Sequence, residues 1–248
     1  MPKSVLILQR NIPHYRVPVF DGLARDYDVT TVYSGVCTAG PDVRFRPHRV
    51  SVREFGGLQF QSGVSALAKT HDAVIAMFDV RWLSSLRLVL TPVRHRLLWW
   101  GHGFGRSRAA RWPRARIVRA SAGLILYDEA HRGAYQDLGV PVEKLFVAPN
   151  TMFVRDPSLP ADPNGRRSFV FVSRIRGTRK RVDLLIDGFA QVADRIPKEI
   201  GIEIVGDGDG LPALREAAAA AGIEDRVCFH GEVRDERELS AIYHRALA

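Results

Sequence analysis

The segment from Phe171 to Asp187 constrains this chain more than any other, because its order of residue types fits few local structures. It reads FVSRIRGTRKRVDLLID: an apolar, β-rich run, then a loop that carries Arg174 and Lys180, then a helical pattern from Val182 onward. A strand that leads through a cationic loop to a helix N-terminus offers an anion free N–H groups, the positive end of the helix dipole and two long cations. We therefore predict that this segment binds a diphosphate.

Apolar runs of strand length alternate with helical patterns along the chain, which predicts βαβ units and parallel sheets. A first domain, residues 1–155, is followed by the Pro- and Gly-containing linker 156–167 and by a second domain, residues 168–248. The predicted fold class is α/β, with two Rossmann-like domains. In the first domain the predicted strands are Val5–Gln9, Val29–Tyr33, Asp72–Met77, Leu97–Trp100, Gly123–Tyr127 and Leu145–Ala148.

Helices are predicted near Val17–Arg25 and Trp82–Leu90, and the stretch between residues 34 and 71 is predicted to be irregular. Asp128 is placed to cap a further helix that runs towards Leu138. In the second domain we predict three strands and three helices: Phe169–Ser173, Val182–Asp194, Gly201–Val205, Leu211–Ala221, Arg226–Phe229 and Asp235–Ala246. A doubly wound domain normally has about five or six strands, so we expect this second domain to be incomplete and the chain to be a truncated form.

Composition is that of a globular protein, with 46% apolar residues and 25% charged ones. The two cysteines, Cys37 and Cys228, have no paired spacing, which argues against a disulfide framework or a zinc site. Several histidines, among them His131, show no metal-ligand spacing either. No apolar run resembles a signal peptide or approaches the ~20 residues of a membrane span, so a cytoplasmic location is expected.

Positive charge is concentrated in one region of the chain. The net charge is +9, and the stretch from Val80 to Tyr127 has ten arginines and no acidic residue. Such a field attracts an anionic membrane or another polyanion. The alternative is that these arginines are a solvated helix face. Nucleic-acid binding is disfavoured, because no recognition motif or row of stacking aromatics accompanies the charge.

Three further segments of the chain contain candidate site residues. His102 stands between two glycines at a predicted strand end, which is where open α/β sheets bind ligands, although an unusual turn alone would also explain it. Gly206 and Gly208 follow another strand and fit either a ligand-binding turn or a plain tight turn. Tyr15 and Arg16 follow the first strand, where an acceptor cleft and a surface loop are equally consistent with the sequence. That strand runs into Gln-Arg-Asn without a glycine fingerprint, which argues against a hydride-transfer enzyme.

The segment described first resembles the donor-phosphate element of retaining GT-B glycosyltransferases of group 1, also called family 4, which read roughly G-R-x5-K-G-V-D-x-L-I. Ser173 and Arg181 stand at the two glycine positions of that pattern. The run IEIVGDGDGLPALREAAAAAGIEDRVCFHGEV also resembles the family, over nearly all of the second domain. In the first domain the segments around His102 and Asn150 and the run NIPHYRVPVFDGL are similar to family segments.

The resemblance implies a sugar transfer with retained configuration, from a UDP- or GDP-linked donor to a glycan or lipid-linked acceptor, without metal or cofactor. It implies that Arg174 and Lys180 neutralise the departing diphosphate and that His102 contacts the donor sugar. Gly206 and Gly208 would let backbone approach the nucleotide, and Asn150 would lie at the hinge between domains. Tyr15 and Arg16 would line the acceptor cleft. We expect such an enzyme to work at the inner face of the membrane, which the arginine-rich stretch would favour.

One departure from the family concerns two glutamates, eight positions apart, that hold the donor in its members. Glu216, Glu224 and Glu232 have this spacing, but the family's P-S-x-x-E-G-F-G turn does not precede them. We interpret the spacing as coincidence and expect weak or no catalysis from this chain. The alternative function is a non-catalytic fragment that binds sugar nucleotides or docks at membranes.

Overall fold

The computed structural model describes residues 2–104, 108–149, 165, 167–177 and 180–247. The chain divides into two units, Met1–Phe153 and Val154–Ala248. The linker predicted over residues 156–167 lies almost wholly outside the described residues, and Asn150 lies outside them too. The predicted α/β class, with parallel sheets in both units, is confirmed.

Unit 1 is built on a seven-stranded parallel sheet and a separate antiparallel hairpin. Its strands are β1 (Ser4–Leu8), β2 (Asp28–Tyr33), β3 (Arg46–Arg49), β4 (Val52–Phe55), β5 (Leu58–Gln61), β6 (Ala73–Met77), β7 (Leu97–Gly101), β8 (Gly123–Leu126) and β9 (Leu145–Val147). Its helices are α1 (Val17–Leu23), α2 (Val64–Lys69), α3 (Leu83–Leu88), α4 (Arg111–Ala120) and α5 (Ala130–Gln136). The strand order in the sheet is β3-β2-β1-β6-β7-β8-β9.

The sheet of unit 1 is buried on both faces, which explains why its central strands are continuous apolar runs. Side chains alternate along β1, so that Leu6 and Leu8 enter one core while Val5 and Ile7 enter another with Phe20 of α1. The carboxyl ends of the parallel strands therefore meet at one edge, and the loops that follow β1, β6, β7 and β8 lie side by side there.

The prediction of an irregular stretch between residues 34 and 71 is wrong. That stretch contains β3, the β4–β5 hairpin and α2. All four residues of β3 are exposed and one is a proline, so the strand has no apolar pattern. Proline is tolerated there because β3 lies at the edge of the sheet and pairs only with β2.

Unit 2 has a three-stranded parallel sheet with the order β10-β11-β12. Its elements are β10 (Ser168–Val172), α6 (Val182–Ala190), β11 (Gly201–Val205), α7 (Leu211–Ala220), β12 (Val227–Gly231) and α8 (Glu236–His244). Its core joins Ile202 and Ile204 of β11 to Ile186 and Phe189 of α6 and to Leu214 of α7.

After α8 the chain returns to the edge of β10 that faces away from β11. Ser168 and Ala246 form a parallel bridge, and the Leu247 N–H donates to the Ser168 carbonyl oxygen at 2.7 Å. The order of strands therefore reverses beside β10. In open α/β sheets such a reversal leaves a crevice outside the carboxyl ends of the strands, where ligands bind.

Candidate functional site

The loop between β10 and α6 carries the two predicted diphosphate ligands. Arg174 and Lys180 are both exposed, one near each end of this loop, and the loop follows the strand at which the sheet order reverses. Ile175 anchors the loop, because its side chain is 1% exposed within the core of unit 2. Its N–H donates to the Asp207 carbonyl oxygen at 3.1 Å. Arg174 is thus the exposed neighbour of a fixed core residue.

The glycine turn after β11 packs directly on this loop. At Gly206, with φ +134°, an added Cβ would overlap the carbonyl oxygen of Ser173. At Gly208, with φ +153°, it would overlap the carbonyl oxygen of Ile175. The space that these two glycines leave is filled by the cationic loop itself. Their place in the structure is thus explained by backbone packing, and a contact with a nucleotide stays a prediction.

Arg181, at the second of the two glycine positions in the pattern, has φ +51° and ψ +41°. It is the only non-glycine residue with positive φ among those the structure describes. This left-handed conformation explains why a glycine suits the position. The guanidinium of Arg181 forms an ion pair with Asp183 in the first turn of α6, at 2.9 Å. That interaction holds the pKa of Asp183 below its usual range.

In unit 1, His102 follows β7 and is exposed. Its ring lies 4.4 Å from that of Tyr127, centroid to centroid, in an edge-to-face arrangement. The next residue must be a glycine because the His131 ring occupies the place of a Cβ on Gly103. The Tyr135 hydroxyl donates to the Gly103 carbonyl oxygen at 3.5 Å, and burial raises the pKa of Tyr135 to about 12. Helix α5 therefore fixes the backbone beside His102.

Sequence patterns assign no role to His131, whereas the structure shows it in contact with Asp128. Its Nδ1 lies 2.7 Å from an Asp128 carboxylate oxygen, which also accepts the His131 N–H at 3.1 Å. Asp128 therefore accepts a backbone N–H of the first turn of α5, although the N-cap residue of this helix is Glu129. Side-chain and backbone hydrogen bonds from His131 hold the pKa of Asp128 below its usual range.

Arg16 is buried, with 9% of its surface exposed, so the interpretation as a surface loop is wrong for this residue. Its Nη2 donates to the Tyr127 hydroxyl at 2.9 Å, and its guanidinium carbon lies 4.3 Å from the ring centroid of Trp100. Its Nη1 lies 3.9 Å from the Met77 sulfur. Tyr15 beside it is 40% exposed.

Arg16 and Tyr15 also line a cavity of about 340 Å³ at the carboxyl ends of β1 and β6. Ligand pockets typically measure about 300–1,000 Å³. Tyr127 connects this cavity to the His102 segment, because it contacts both Arg16 and His102. Polar side chains that line the cavity, besides Arg16 and Tyr15, include those of Gln9, Arg10, Asn11, Gln61, Asp79, Arg81 and Ser85.

Some arginines of the arginine-rich stretch bond to other groups of unit 1, and most of those that the structure describes are exposed. Arg81 is paired with Asp79 at 2.6 Å, and Arg96 donates to the Lys69 carbonyl oxygen at 2.9 Å. Arg106 lies outside the described residues. The exposed arginines include a group on and beside α4, where Arg116 lies 4.9 Å from the ring centroid of Trp112, itself 54% exposed. The other exposed members of this group are Arg108, Arg111 and Arg119.

The described residues include neither a cluster of metal ligands nor a membrane-spanning helix. They contain no cluster of three or more His, Cys, Asp or Glu side chains that could hold a metal ion. None of the helices among them has the length and apolar character needed to cross a membrane.

Comparisons with known proteins bear most directly on unit 2. Residues 166–248 match the family model described as "Glycosyl transferases group 1". Over 77 residues, the chain is 39% identical to mannosylfructose-phosphate synthase of Agrobacterium fabrum. This alignment spans 28% of the chain and 16% of that relative.

Solved structures are similar over nearly the whole chain. Anabaena Alr3699/HepE, solved with UDP, is 19% identical with a TM-score of 0.67, over 96% of this chain and 71% of its own. WaaG, a glycosyltransferase involved in lipopolysaccharide biosynthesis, is 13% identical with a TM-score of 0.64, over 96% and 72%. At such identities the likeness establishes the fold. The chain therefore has the GT-B glycosyltransferase fold, and its residues 166–248 carry the sequence signature of the group 1 glycosyltransferases.

Proposed function

We propose that this protein transfers a sugar from a nucleotide-sugar donor to a glycan or lipid-linked acceptor, with retention of configuration and without a metal ion. The observation that carries the proposal is the β10–α6 loop, which presents Arg174 and Lys180 inside the segment that matches the family. Anabaena Alr3699/HepE, a neighbour in fold, has been solved with UDP and with UDP and glucose, which supports a nucleotide sugar as the donor.

In this proposal the two cations neutralise the donor diphosphate, which is the leaving group. Negative charge on its oxygens grows as the bond to the sugar breaks, so cations fixed beforehand stabilise the transition state more than the ground state. The N-terminus of α6 adds the positive end of its dipole to the same site. His102, exposed and held beside Tyr127, contacts the donor sugar through its imidazole.

Donor binding is tested by calorimetric titration of the full chain with UDP-glucose, UDP-galactose and GDP-mannose. Arg174→Ala and Lys180→Ala should each lower the affinity for the preferred donor by about tenfold or more, because each removes a charge-assisted hydrogen bond. Arg176→Ala is the matched control, since Arg176 is an exposed arginine of the same loop that flanks Ile175 on its other side. An equal loss of donor affinity in all three variants would show that only the total positive charge of the loop matters, which would contradict the proposed site.

Transfer is measured separately from binding, by release of nucleoside diphosphate from the preferred donor. His102→Ala should lower the rate of release far more than it lowers donor affinity, because the imidazole acts at the sugar and the cations act at the diphosphate. Added EDTA should leave the rate unchanged. A chain that binds the donor through Arg174 and releases nothing would be the non-catalytic alternative, and it would refute transfer.

We propose, further, that the exposed arginines around α4 hold the enzyme on anionic lipid. Arg116 and Arg119 are exposed on α4 beside the exposed Trp112. Each cation close to anionic lipid contributes roughly 1 kcal/mol. The chain should float with phosphatidylglycerol vesicles and not with phosphatidylcholine vesicles, and the double variant Arg116→Gln/Arg119→Gln should float several-fold less. Equal recovery with both vesicle types would refute membrane attachment.

A further inference from the structure

The cavity beside Arg16 contains an arrangement that the proposed transfer reaction does not by itself require. Arg16 is 9% exposed, and no carboxylate of the described chain lies within ion-pair distance of it. Its contacts are a hydroxyl, a sulfur and an indole face. A buried charge is costly unless it is paired or serves a ligand, so a guanidinium kept in this state is poised for an anion.

A second buried side chain of the same cavity has an unpaired polar atom. Gln9 is 5% exposed, and its Nε2 makes no hydrogen bond within the described residues. An amide N–H without a partner is an available donor, and buried donors of native proteins nearly always have one. Gln9 and Arg16 line the same cavity although they come from the end of β1 and from the turn before α1.

The remaining charges of the cavity leave its balance positive. Arg10 also lines it and is exposed. Asp79 and Arg81 cancel each other, since Arg81 donates to both carboxylate oxygens, with Nε at 3.0 Å from one and Nη2 at 2.6 Å from the other. Burial raises the pKa of Asp79, but the hydrogen bonds from Arg81 outweigh it, so the carboxyl stays ionised. Asn11 is not free, because its side-chain oxygen accepts the Val36 N–H at 2.8 Å.

We propose that this cavity binds an oxyanion substituent of the acceptor, a phosphoryl or carboxylate group carried on a sugar. Arg16 supplies the buried charge, Gln9 a neutral N–H donor and Arg10 the cation at the mouth. Tyr127 contacts both Arg16 and His102, so an acceptor held by its anion lies next to the residue assigned to the donor sugar. The identification of the ligand as the acceptor rests on the proposed function. Binding of an anion in this cavity is tested separately, without any donor.

The test is ligand binding to the full chain in the absence of nucleotide sugar. Glucose 6-phosphate and glucuronate are the two anionic probes and glucose is the neutral one, each titrated by ligand-observed NMR. At least one anionic probe should bind about tenfold or more tightly than glucose, as expected for a hydrogen bond to a charged group. The probe that binds better shows whether the acceptor group is a phosphoryl or a carboxylate. Equal affinity for all three probes would overturn the proposal.

Two variants and one control separate binding from folding. Arg16→Gln should remove the preference for the anionic probe, whereas Arg94→Gln, a change of an exposed arginine elsewhere in unit 1, should keep it. Leucine has nearly the same shape as glutamine, and Gln9→Leu removes an unpaired buried amide. This variant should therefore leave the thermal midpoint unchanged or raise it, and should lower the affinity for the anionic probe several-fold. Anion binding that survives both Arg16→Gln and Gln9→Leu refutes the site, whatever the outcome of the donor titrations in unit 2.

Discussion

Gly206→Ala tests the packing of the candidate donor site through a single added methyl group. The new Cβ would overlap the carbonyl oxygen of Ser173, which is backbone and cannot rotate aside. The backbone at this position has φ +134°, and a strained conformation of this kind costs an L-residue about 1–3 kcal/mol. We expect the substitution to lower the free energy of unfolding of unit 2 by about 2 kcal/mol or more and to displace the loop that carries Arg174.

Gly188→Ala is the matched control, because it adds the same methyl group in the same unit. Gly188 lies inside α6, has no unusual φ, and nothing lies within 4 Å of its added Cβ. Alanine in a helix interior is more stable than glycine by about 0.5–1 kcal/mol. One methyl group is therefore expected to destabilise unit 2 at position 206 and to stabilise it at position 188.

Amide hydrogen exchange with mass spectrometry on the full chain measures this difference. The four tryptophans, Trp82, Trp99, Trp100 and Trp112, all belong to unit 1, so tryptophan fluorescence does not report on unit 2. Since 1.4 kcal/mol is a factor of ten, exchange in peptides of β10 and β11 should be about thirtyfold faster in Gly206→Ala and about two- to fivefold slower in Gly188→Ala. Equal exchange in the two variants would refute the close packing of the two loops.

Two further changes test unit 2. The carboxylate of Glu203 accepts hydrogen bonds from Ser168, His230 and Arg245. Burial raises the pKa of Glu203, but these hydrogen bonds outweigh burial and hold the pKa below the ordinary 4.5. The stability that Glu203 contributes is complete above pH 4.5 and is lost as the pH falls through its lower folded pKa. Glu203→Gln should therefore lower the free energy of unfolding by about 1 kcal/mol at pH 7, measured by urea unfolding followed by circular dichroism, and should weaken its dependence on acid pH. An unchanged acid dependence would count against this assignment. At Arg181, which has a left-handed backbone, Arg181→Gly should have a higher thermal midpoint than Arg181→Ala. Both variants lose the ion pair with Asp183, but only glycine adopts the positive φ without strain. The reverse order would show that this conformation does not persist in solution.

Sequence patterns predict the helices and strands in which buried apolar residues recur at a regular spacing. They do not predict the elements that lack such a spacing. The strand β1 was predictable because both of its faces are apolar. The edge strand β3 was not, because its RPHR sequence is exposed throughout. Helix α4 is not predicted either, since four of its ten residues are arginines and only Ala115 and Val118 are buried.

The candidate site divides in the same way between local and non-local features. Arg174 and Lys180 belong to one continuous segment, so their spacing alone places them in one loop. The surroundings of His102 could not be predicted, because Tyr127 follows β8 and His131 belongs to α5, both more than twenty residues further along the chain. The burial of Arg16 depends equally on a distant residue, the Tyr127 hydroxyl.

The two departures from the family's glycine pattern have different physical meanings in the structure. At position 181 the backbone keeps the left-handed conformation that a glycine would adopt, and an arginine side chain paired with Asp183 accompanies it. At position 173 the carbonyl oxygen occupies the space left by Gly206, so the contact there is made by backbone and does not depend on the side chain. This loop therefore forms with Ser173 and Arg181 at the two glycine positions of the pattern. The presence of Ser173 and Arg181 at these positions therefore does not argue against a diphosphate site in this loop. Whether the loop is such a site depends on whether Arg174 and Lys180 bind the donor.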